Sequence, residues 1–235
     1  MGFATVADRD AIHNEMEWEA RDVPTTMYEF LDRARERYGD RPAVSFQLLS
    51  GPRDPAETLS WSELFGKVIQ TANLLRSLGV GEDDTVAYVL PNSNETVFTL
   101  LGGAIAGIVS PINPLLEADQ ISAILRETNA KVVVTLKSFP RTDVAQKVAE
   151  AVDFAPNVKH VLEVDLLRYV TGVKKLIIPL IRPKNVVHHT AATRDFNREI
   201  AKHPSDRLTF EDSKVDRVAA YFHTGGTTGM PLSLI

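Results

Sequence analysis

The stretch TVAYVLPNSNETVFTLLGGAIAGIVSPINP, residues 85–114, decides the fold class. Residues 85–90 are a continuous apolar run that Pro91 stops, which is typical of a strand buried on both faces. Residues 96–106 have the length of a helix, and a second apolar run follows at 108–112. A strand, a helix and a strand joined by short loops predict a βαβ unit with parallel strands.

The same alternation continues on both sides of this unit. Gly102, Gly103 and Gly107 either weaken the central helix or let neighbouring elements approach it closely. The predicted fold class is α/β, with a mostly parallel sheet of βαβ units flanked by helices. The further predicted elements are strands at 43–49, 131–136 and 158–164 and helices at 26–38, 62–79, 117–128 and 143–152.

The composition is that of a soluble globular protein. Of the 235 residues, 44% are hydrophobic and 24% are charged, which excludes intrinsic disorder. The chain has no cysteine, which excludes disulfide scaffolds, thiolate zinc sites and cysteine nucleophiles. The net charge is −5, whereas a protein that binds nucleic acid usually carries a basic surface. The polar residues 1–23 carry no secretory pattern, so we expect a cytoplasmic protein.

Residues 166–181 predict a basic amphipathic helix, which Pro179 and Pro183 are expected to end. Residues 159–203 hold nine Lys/Arg against four Asp/Glu, although the chain as a whole is acidic. Such a helix packs on the domain with a solvated basic face, lies on an anionic membrane, or meets an acyl or phosphate-bearing ligand. The membrane alternative predicts peripheral contact with the inner membrane face through residues 166–184.

Residues 221–231, YFHTGGTTGMP, bring three glycines and three threonines together after the apolar run 218–222. Glycines let backbone N–H groups converge on an anion, and threonine hydroxyls add donors without adding charge. The pattern predicts a loop that binds polyphosphate oxygens, and the alternative is a tight turn between two strands. The chain contains neither a Walker motif nor a G-x-G-x-x-G fingerprint.

Residues 221–231 strongly resemble the phosphate-binding signature of the AMP-forming acyl-CoA synthetase and adenylate-forming enzyme superfamily. Residues 58–64 resemble the early Leu-Thr-Tyr-x-Glu-Leu box of that family, and residues 85–93 resemble its Val-Ala-x-x-Leu-Pro-Asn-Ser stretch. Residues 102–116 resemble its Gly-Ala-x-x-x-Pro-x-Asn-Pro region. The resemblance runs from about residue 24 to residue 231.

The resemblance implies an ATP-dependent acyl-CoA ligase, which is an acid–thiol ligase that works in two steps. A carboxylic acid is first converted to an acyl-AMP with release of pyrophosphate, and CoA then displaces AMP to form a thioester. ATP, Mg²⁺ and CoA are the implied cofactors, and a fatty acid is the favoured substrate, with an aromatic acid as the alternative. The residues implied to bind the ATP phosphates are Thr224, Gly225, Gly226, Thr227, Thr228 and Gly229.

The chain departs from the family pattern after Pro231. The family has Lys or Arg at the next position, where this chain has Leu232. The implied catalytic residues would lie beyond Ile235, so we expect an N-terminal polar segment, 1–23, and a partial AMP-binding domain, 24–235, that is inactive alone. The residues after Pro231 are expected to be too few for the strand that such a loop needs. The alternative is a non-catalytic remnant that binds a nucleotide or a partner.

Four further residues carry groups of chemical interest. His188 and His189 are adjacent and have no third ligand near them in sequence, so we expect a loop or surface role and no metal site. His223 either contacts phosphate or substrate, or it is a buried imidazole at the end of a strand. Asn94 fits a glycosylation sequon, but here it predicts the start of a helix.

Overall fold

Helices and strands alternate in the computed structural model, which describes residues 4–17, 20–49, 51, 54–183, 187–224 and 232–234. The helices are α1 (Val6–His13), α2 (Met27–Tyr38), α3 (Trp61–Ser77), α4 (Asn94–Ala106), α5 (Ala118–Glu127), α6 (Val144–Asp153), α7 (Val173–Ile181) and α8 (Phe196–Ile200). The strands are β1 (Pro42–Phe46), β2 (Glu57–Ser60), β3 (Thr85–Val89), β4 (Ile108–Pro111), β5 (Val132–Leu136), β6 (His160–Val164), β7 (Ala192–Asp195), β8 (Phe222–Thr224) and β9 (Leu232–Leu234).

A five-stranded parallel sheet forms the centre of the molecule, in the order β4-β3-β5-β6-β7. Every residue of β3 and β5 is buried, because helices cover both faces of a parallel sheet. The α/β class predicted from the sequence is therefore confirmed. The strand order reverses between β3 and β5, and open α/β sheets bind their ligands beside such a reversal.

A two-stranded antiparallel hairpin, β1 with β2, stands apart from this sheet. The sequence predicted the first of these strands but not the second. Strand β2 ends at Ser60, whose hydroxyl accepts a hydrogen bond from the backbone N–H of Glu63 while the Glu63 carboxylate accepts one from the backbone N–H of Ser60. This capping box begins α3 directly after the strand.

Close packing explains the glycines of the central βαβ unit. A Cβ atom added at Gly102 would lie 2.8 Å from the Cβ of Thr71 on α3, and one added at Gly107 would lie 2.4 Å from the carbonyl oxygen of Asp84. Neither distance leaves room for a methyl group. Of the two roles predicted for these glycines, close approach is the one that the structure shows.

The segment predicted as one helix at 166–181 is divided in the structure. Leu166–Tyr169 is a 3-10 turn, and α7 begins only after Gly172, whose φ of +62° is incompatible with a continuous helix. The prediction that Pro179 ends the helix is wrong, since α7 continues to Ile181. A proline costs the helix one hydrogen bond, but the residues after it keep helical dihedral angles here.

Two further elements follow α7 that the sequence did not predict. Strand β7 pairs in parallel with β6, and α8 begins directly after it, with the Asp195 carboxylate accepting a hydrogen bond from the backbone N–H of Arg198. In the parts of the chain that the structure describes, no helix combines the length and apolar character needed to cross a membrane.

Candidate functional site

The glycine- and threonine-rich segment lies between two paired strands. Strands β8 and β9 are antiparallel, with Phe222 opposite Leu234 and Thr224 opposite Leu232. Residues 225–231 join them in sequence. The two strands that the tight-turn alternative expected are present, and the choice between a phosphate-binding loop and a turn falls on residues outside the described ones.

Only one of the predicted phosphate-binding residues falls in the described part of the chain. Thr224 is the last residue of β8. The other five lie outside the described residues and remain predictions: Gly225, Gly226, Thr227, Thr228 and Gly229.

The expectation that too few residues follow the loop to form a strand is wrong. Leu232–Leu234 is strand β9, and three residues suffice because each of them pairs with a residue of β8. Leu232 lies opposite Thr224, at the position where the family pattern has a cation. A leucine there cannot neutralise phosphate charge.

The chain enters β8 from the free edge of the central sheet. The backbone N–H of Val109 on β4 donates to the carbonyl oxygen of Ala219 at 3.0 Å, and the N–H of Tyr221 donates to the carbonyl oxygen of Val109 at 2.9 Å. Ala220 thereby forms a parallel bridge with Val109. The loop is thus connected to the sheet within four residues of its first glycine.

Arg217 fixes this approach to helix α4. Its guanidinium donates to the carbonyl oxygens of Ala104 and Ile105, each at 2.8 Å, and to that of Gly107 at 2.7 Å. These carbonyls belong to the C-terminal end of α4, where a cation is favourable. Burial lowers the pKa of Arg217 from its usual value. The sequence analysis missed this residue; the only available signal was that α4 has no basic residue in its own last turn.

His223, one residue before Thr224, has a buried side chain. Its Nε2 lies 3.6 Å from Oε2 of Glu127, at the end of α5. Of the two predicted alternatives, the buried imidazole at a strand end is the one that agrees with this position.

A second cluster of charged residues, the Glu95 cluster, lies at the start of α4. It consists of Glu95, Glu57, Arg168, Tyr169 and Asn197. The Glu95 side chain is fully buried and accepts hydrogen bonds from Arg168 Nη1 at 2.8 Å, from the Tyr169 hydroxyl at 2.7 Å and from Asn197 Nδ2 at 3.1 Å. Arg168 Nη2 also donates to Glu57 Oε1 at 2.7 Å.

Glu57 and Tyr169 of the Glu95 cluster have shifted pKa values. Burial raises the pKa of Glu57, but the hydrogen bonds from Arg168 and Asn94 outweigh that effect and hold the pKa below its usual value. Burial, followed by the charge of Glu95, raises the pKa of the Tyr169 phenol. Tyr169 therefore remains a neutral donor. The cluster joins β2, α4, the 3-10 turn at Leu166–Tyr169 and α8. The helix start predicted at Asn94 is confirmed, since α4 begins there.

The two adjacent histidines have different environments. His188 is exposed, but the side chain of His189 is buried, with its Nε2 3.7 Å from Oε1 of Glu163. Both histidines lie in a loop, as expected, but the surface role fails for His189 because its side chain lies against Glu163 of β6. Throughout the described ranges, no group of three or more His, Asp or Glu residues is arranged to hold a metal ion.

Three curated proteins show what the chain is similar to. It is 31% identical over 207 residues to the marinolic acid–CoA ligase of Pseudoalteromonas sp. (strain SANK 73390), covering 88% of this chain and 28% of that protein. It is 28% identical to the long-chain-fatty-acid–CoA ligase of Bacillus subtilis, covering 88% and 35%. It is 29% identical to the acetyl-coenzyme A synthetase of Streptomyces avermitilis, covering 88% and 30%.

The fold has a solved counterpart in the anthranilate CoA ligase AuaEII, whose crystal structure contains anthranoyl-AMP. The two chains superpose with a TM-score of 0.64 at 20% sequence identity, over 93% of this chain and 36% of the other. The present chain therefore spans about a third of the length of the proteins that it matches. A family model described as AMP-binding enzyme matches residues 31–231. The chain belongs to the AMP-binding enzyme family.

Proposed function

We propose that this protein is an ATP-dependent acyl-CoA ligase, to which residues 24–235 contribute part of an AMP-binding domain. The observation that carries the proposal is the sequence of residues 225–231, which follows β8 directly and lies within the region matched by the family model. The loop is rich in backbone and hydroxyl donors and is connected to the sheet through β4. Such an arrangement suits a polyphosphate, whose charge needs several donors at once.

The proposed ATP site consists of Thr224, Gly225, Gly226, Thr227, Thr228 and Gly229, which would hold the β- and γ-phosphates. Because the described residues offer no cluster of metal ligands, Mg²⁺ in this proposal arrives bound to the ATP phosphates. When bound, it offsets the charge that develops on the departing pyrophosphate.

The proposed reaction has two steps. A carboxylate oxygen bonds to the α-phosphorus of ATP while the bond to the bridging oxygen of the β-phosphate breaks, and pyrophosphate leaves with the electron pair. The CoA thiol then loses its proton to solvent, its sulfur bonds to the acyl carbon, and AMP leaves. The loop contributes to the first step by stabilising the negative charge on the departing pyrophosphate.

We favour a fatty acid as the acyl substrate, because one of the relatives is a long-chain-fatty-acid–CoA ligase. An aromatic acid is the alternative. We place the enzyme in the cytoplasm, in peripheral contact with the inner membrane face through residues 166–184.

Isothermal titration with Mg–ATP tests the proposed site. We expect Thr227→Val and Thr228→Val each to weaken binding about tenfold, because each substitution removes one hydroxyl donor to a charged oxygen. Thr193→Val, on an exposed position of β7, is the matched control and should bind like the wild type. Equal affinity of all four proteins would rule out the assignment of the loop.

A second candidate function is a nucleotide-binding module without catalysis, which Leu232 favours because it replaces the cation of the family pattern. Carboxylate-dependent exchange of pyrophosphate into ATP by this chain, with a fatty or aromatic acid, would rule out the module. ATP binding without exchange is expected of both candidates, since the chain spans about a third of the length of its relatives.

A further inference from the structure

Helix α7 presents an apolar stripe to solvent. Val173, Leu176, Ile177, Leu180 and Ile181 fall on one side of the helix at a spacing of three and four residues. Their exposed fractions range from 46% to 80%, and no residue of the helix is buried. An amphipathic helix normally turns such a stripe towards the core, so this orientation needs a reason.

The orientation is set by ion pairs before, within and after the helix. Arg168, four residues before Gly172, is held by the carboxylates of the Glu95 cluster. Arg182, directly after α7, donates from Nη2 to Oδ1 of Asp165 at 2.6 Å. Lys174 Nζ lies 3.5 Å from Oδ1 of Asp54. These contacts tie the polar side of the segment to the domain and leave the stripe on the outside.

The charges beside the stripe indicate what kind of surface it binds. Residues 173–183 contain three cations and no carboxylate. Lys174 borders the stripe, and Lys175 lies on the opposite side of the helix. An apolar stripe bordered by a lysine is complementary to the surface of an anionic bilayer. A second copy of this chain is a poor match, since nine residues are far fewer than the roughly 20 to 30 that each side of a stable interface supplies.

We propose that α7 docks on anionic lipid, lying in the plane of the membrane with its apolar stripe in the interface and Lys174 at the headgroups. The helix is too short to cross a bilayer, which needs about 20 residues. The inference rests on the peripheral contact proposed for 166–184 and narrows it to 173–181. It requires no ligase chemistry.

Co-sedimentation with vesicles tests this docking. We expect binding to vesicles of phosphatidylcholine and phosphatidylglycerol, much weaker binding to phosphatidylcholine alone, and loss of binding at high salt. Leu176→Ser and Leu180→Ser should each weaken binding about tenfold or more, and Lys174→Gln about fivefold. The matched controls are Leu115→Ser, an equally exposed leucine elsewhere, and Lys202→Gln on the α8 side; both should bind like the wild type.

The serine variants should keep the unfolding midpoint of the wild type, because the stripe buries nothing in the folded chain. The proposal is overturned if vesicles do not bind, or if binding is indifferent to phosphatidylglycerol and to both serine variants. It is also overturned if sedimentation velocity shows a dimer that Leu180→Ser dissociates, since the stripe then meets a second copy. If the protein binds vesicles but does not bind Mg–ATP, the ligase proposal is contradicted and the docking proposal stands.

Discussion

Arg168 donates a hydrogen bond from Nη1 to Oε1 of Glu95 across 2.8 Å, and the Glu95 side chain has no exposed surface. The pair joins the start of α4 to the 3-10 turn after β6. A buried carboxylate is stable only while it is paired, because removing it from water costs several kcal/mol. This contact therefore helps to attach the segment that leads to α7, together with the hydrogen bond from Tyr169 to Glu95.

We expect Arg168→Met to lower the free energy of unfolding by about 3–5 kcal/mol, since it leaves the Glu95 charge buried without its cation. Urea unfolding measures the loss. Arg207→Met, which removes a cation from an exposed pair with Asp206, should change stability by less than about 1 kcal/mol. Equal effects of the two substitutions would contradict the role given to the buried pair.

Part of the unfolding free energy should depend on pH through the Glu57 carboxylate. Its pKa in the folded state lies below the ordinary value of about 4.3, so its contribution is fully present above that pH. The contribution is lost as the pH falls through the folded pKa. The difference in unfolding free energy between the wild type and Glu57→Gln should therefore be largest near neutral pH and shrink below about pH 4. A difference that stays constant with pH would contradict this account.

Arg217→Gln should destabilise the attachment of residues 219–221 to β4. The substitution removes a charged donor from three carbonyl oxygens, and we expect a loss of about 2 kcal/mol. Hydrogen exchange reports the local effect, with the Tyr221 amide exchanging faster than in the wild type. Arg217→Lys keeps the charge and should lose less. Unchanged exchange at Tyr221 in the glutamine variant would show that Arg217 does not hold this strand.

Two glycine substitutions should change the free energy of unfolding in opposite directions. Gly107→Ala places a methyl group 2.4 Å from the Asp84 carbonyl oxygen, and we expect a loss of about 1–3 kcal/mol or more. Gly66→Ala lies inside α3, where the nearest atom is 3.4 Å away, and should gain up to about 1 kcal/mol from helix propensity. Thermal unfolding of the two variants and the wild type measures both effects. A stable Gly107→Ala protein would mean that β3 and α4 do not pack this closely.

Leu232→Lys should restore a cation beside the loop. Leu232 pairs with Thr224 in the β8–β9 pair and directly follows the segment proposed to bind phosphate. We expect Mg–ATP to bind about two- to fivefold more tightly, and the gain should fade at high salt. Leu232→Gln controls for polarity without charge. The same gain from glutamine would show that the charge is not the cause.

Local patterns in the sequence predicted the central sheet well. Largely apolar segments such as 85–90 and 131–136 became β3 and β5, because strands covered by helices on both faces favour apolar side chains. The pattern was less informative at 166–181, where the positive φ of Gly172 interrupts the helical period. It missed β7, because the exposed residues Ala192 and Thr193 at an edge carry no apolar signal.

The sequence by itself determined the α/β class and the glycine- and threonine-rich loop, because periodicity and glycine clusters are properties of neighbouring residues. The tertiary structure alone decided which distant groups neutralise one another. Glu95 and Arg168 are 73 positions apart, and Arg217 reaches carbonyl groups about 110 positions before it. The tertiary structure also turned the apolar stripe of α7 outward, although a helical period by itself predicts a buried stripe. The path of the whole backbone determines which distant side chains come into contact, and a short window of sequence does not contain that information.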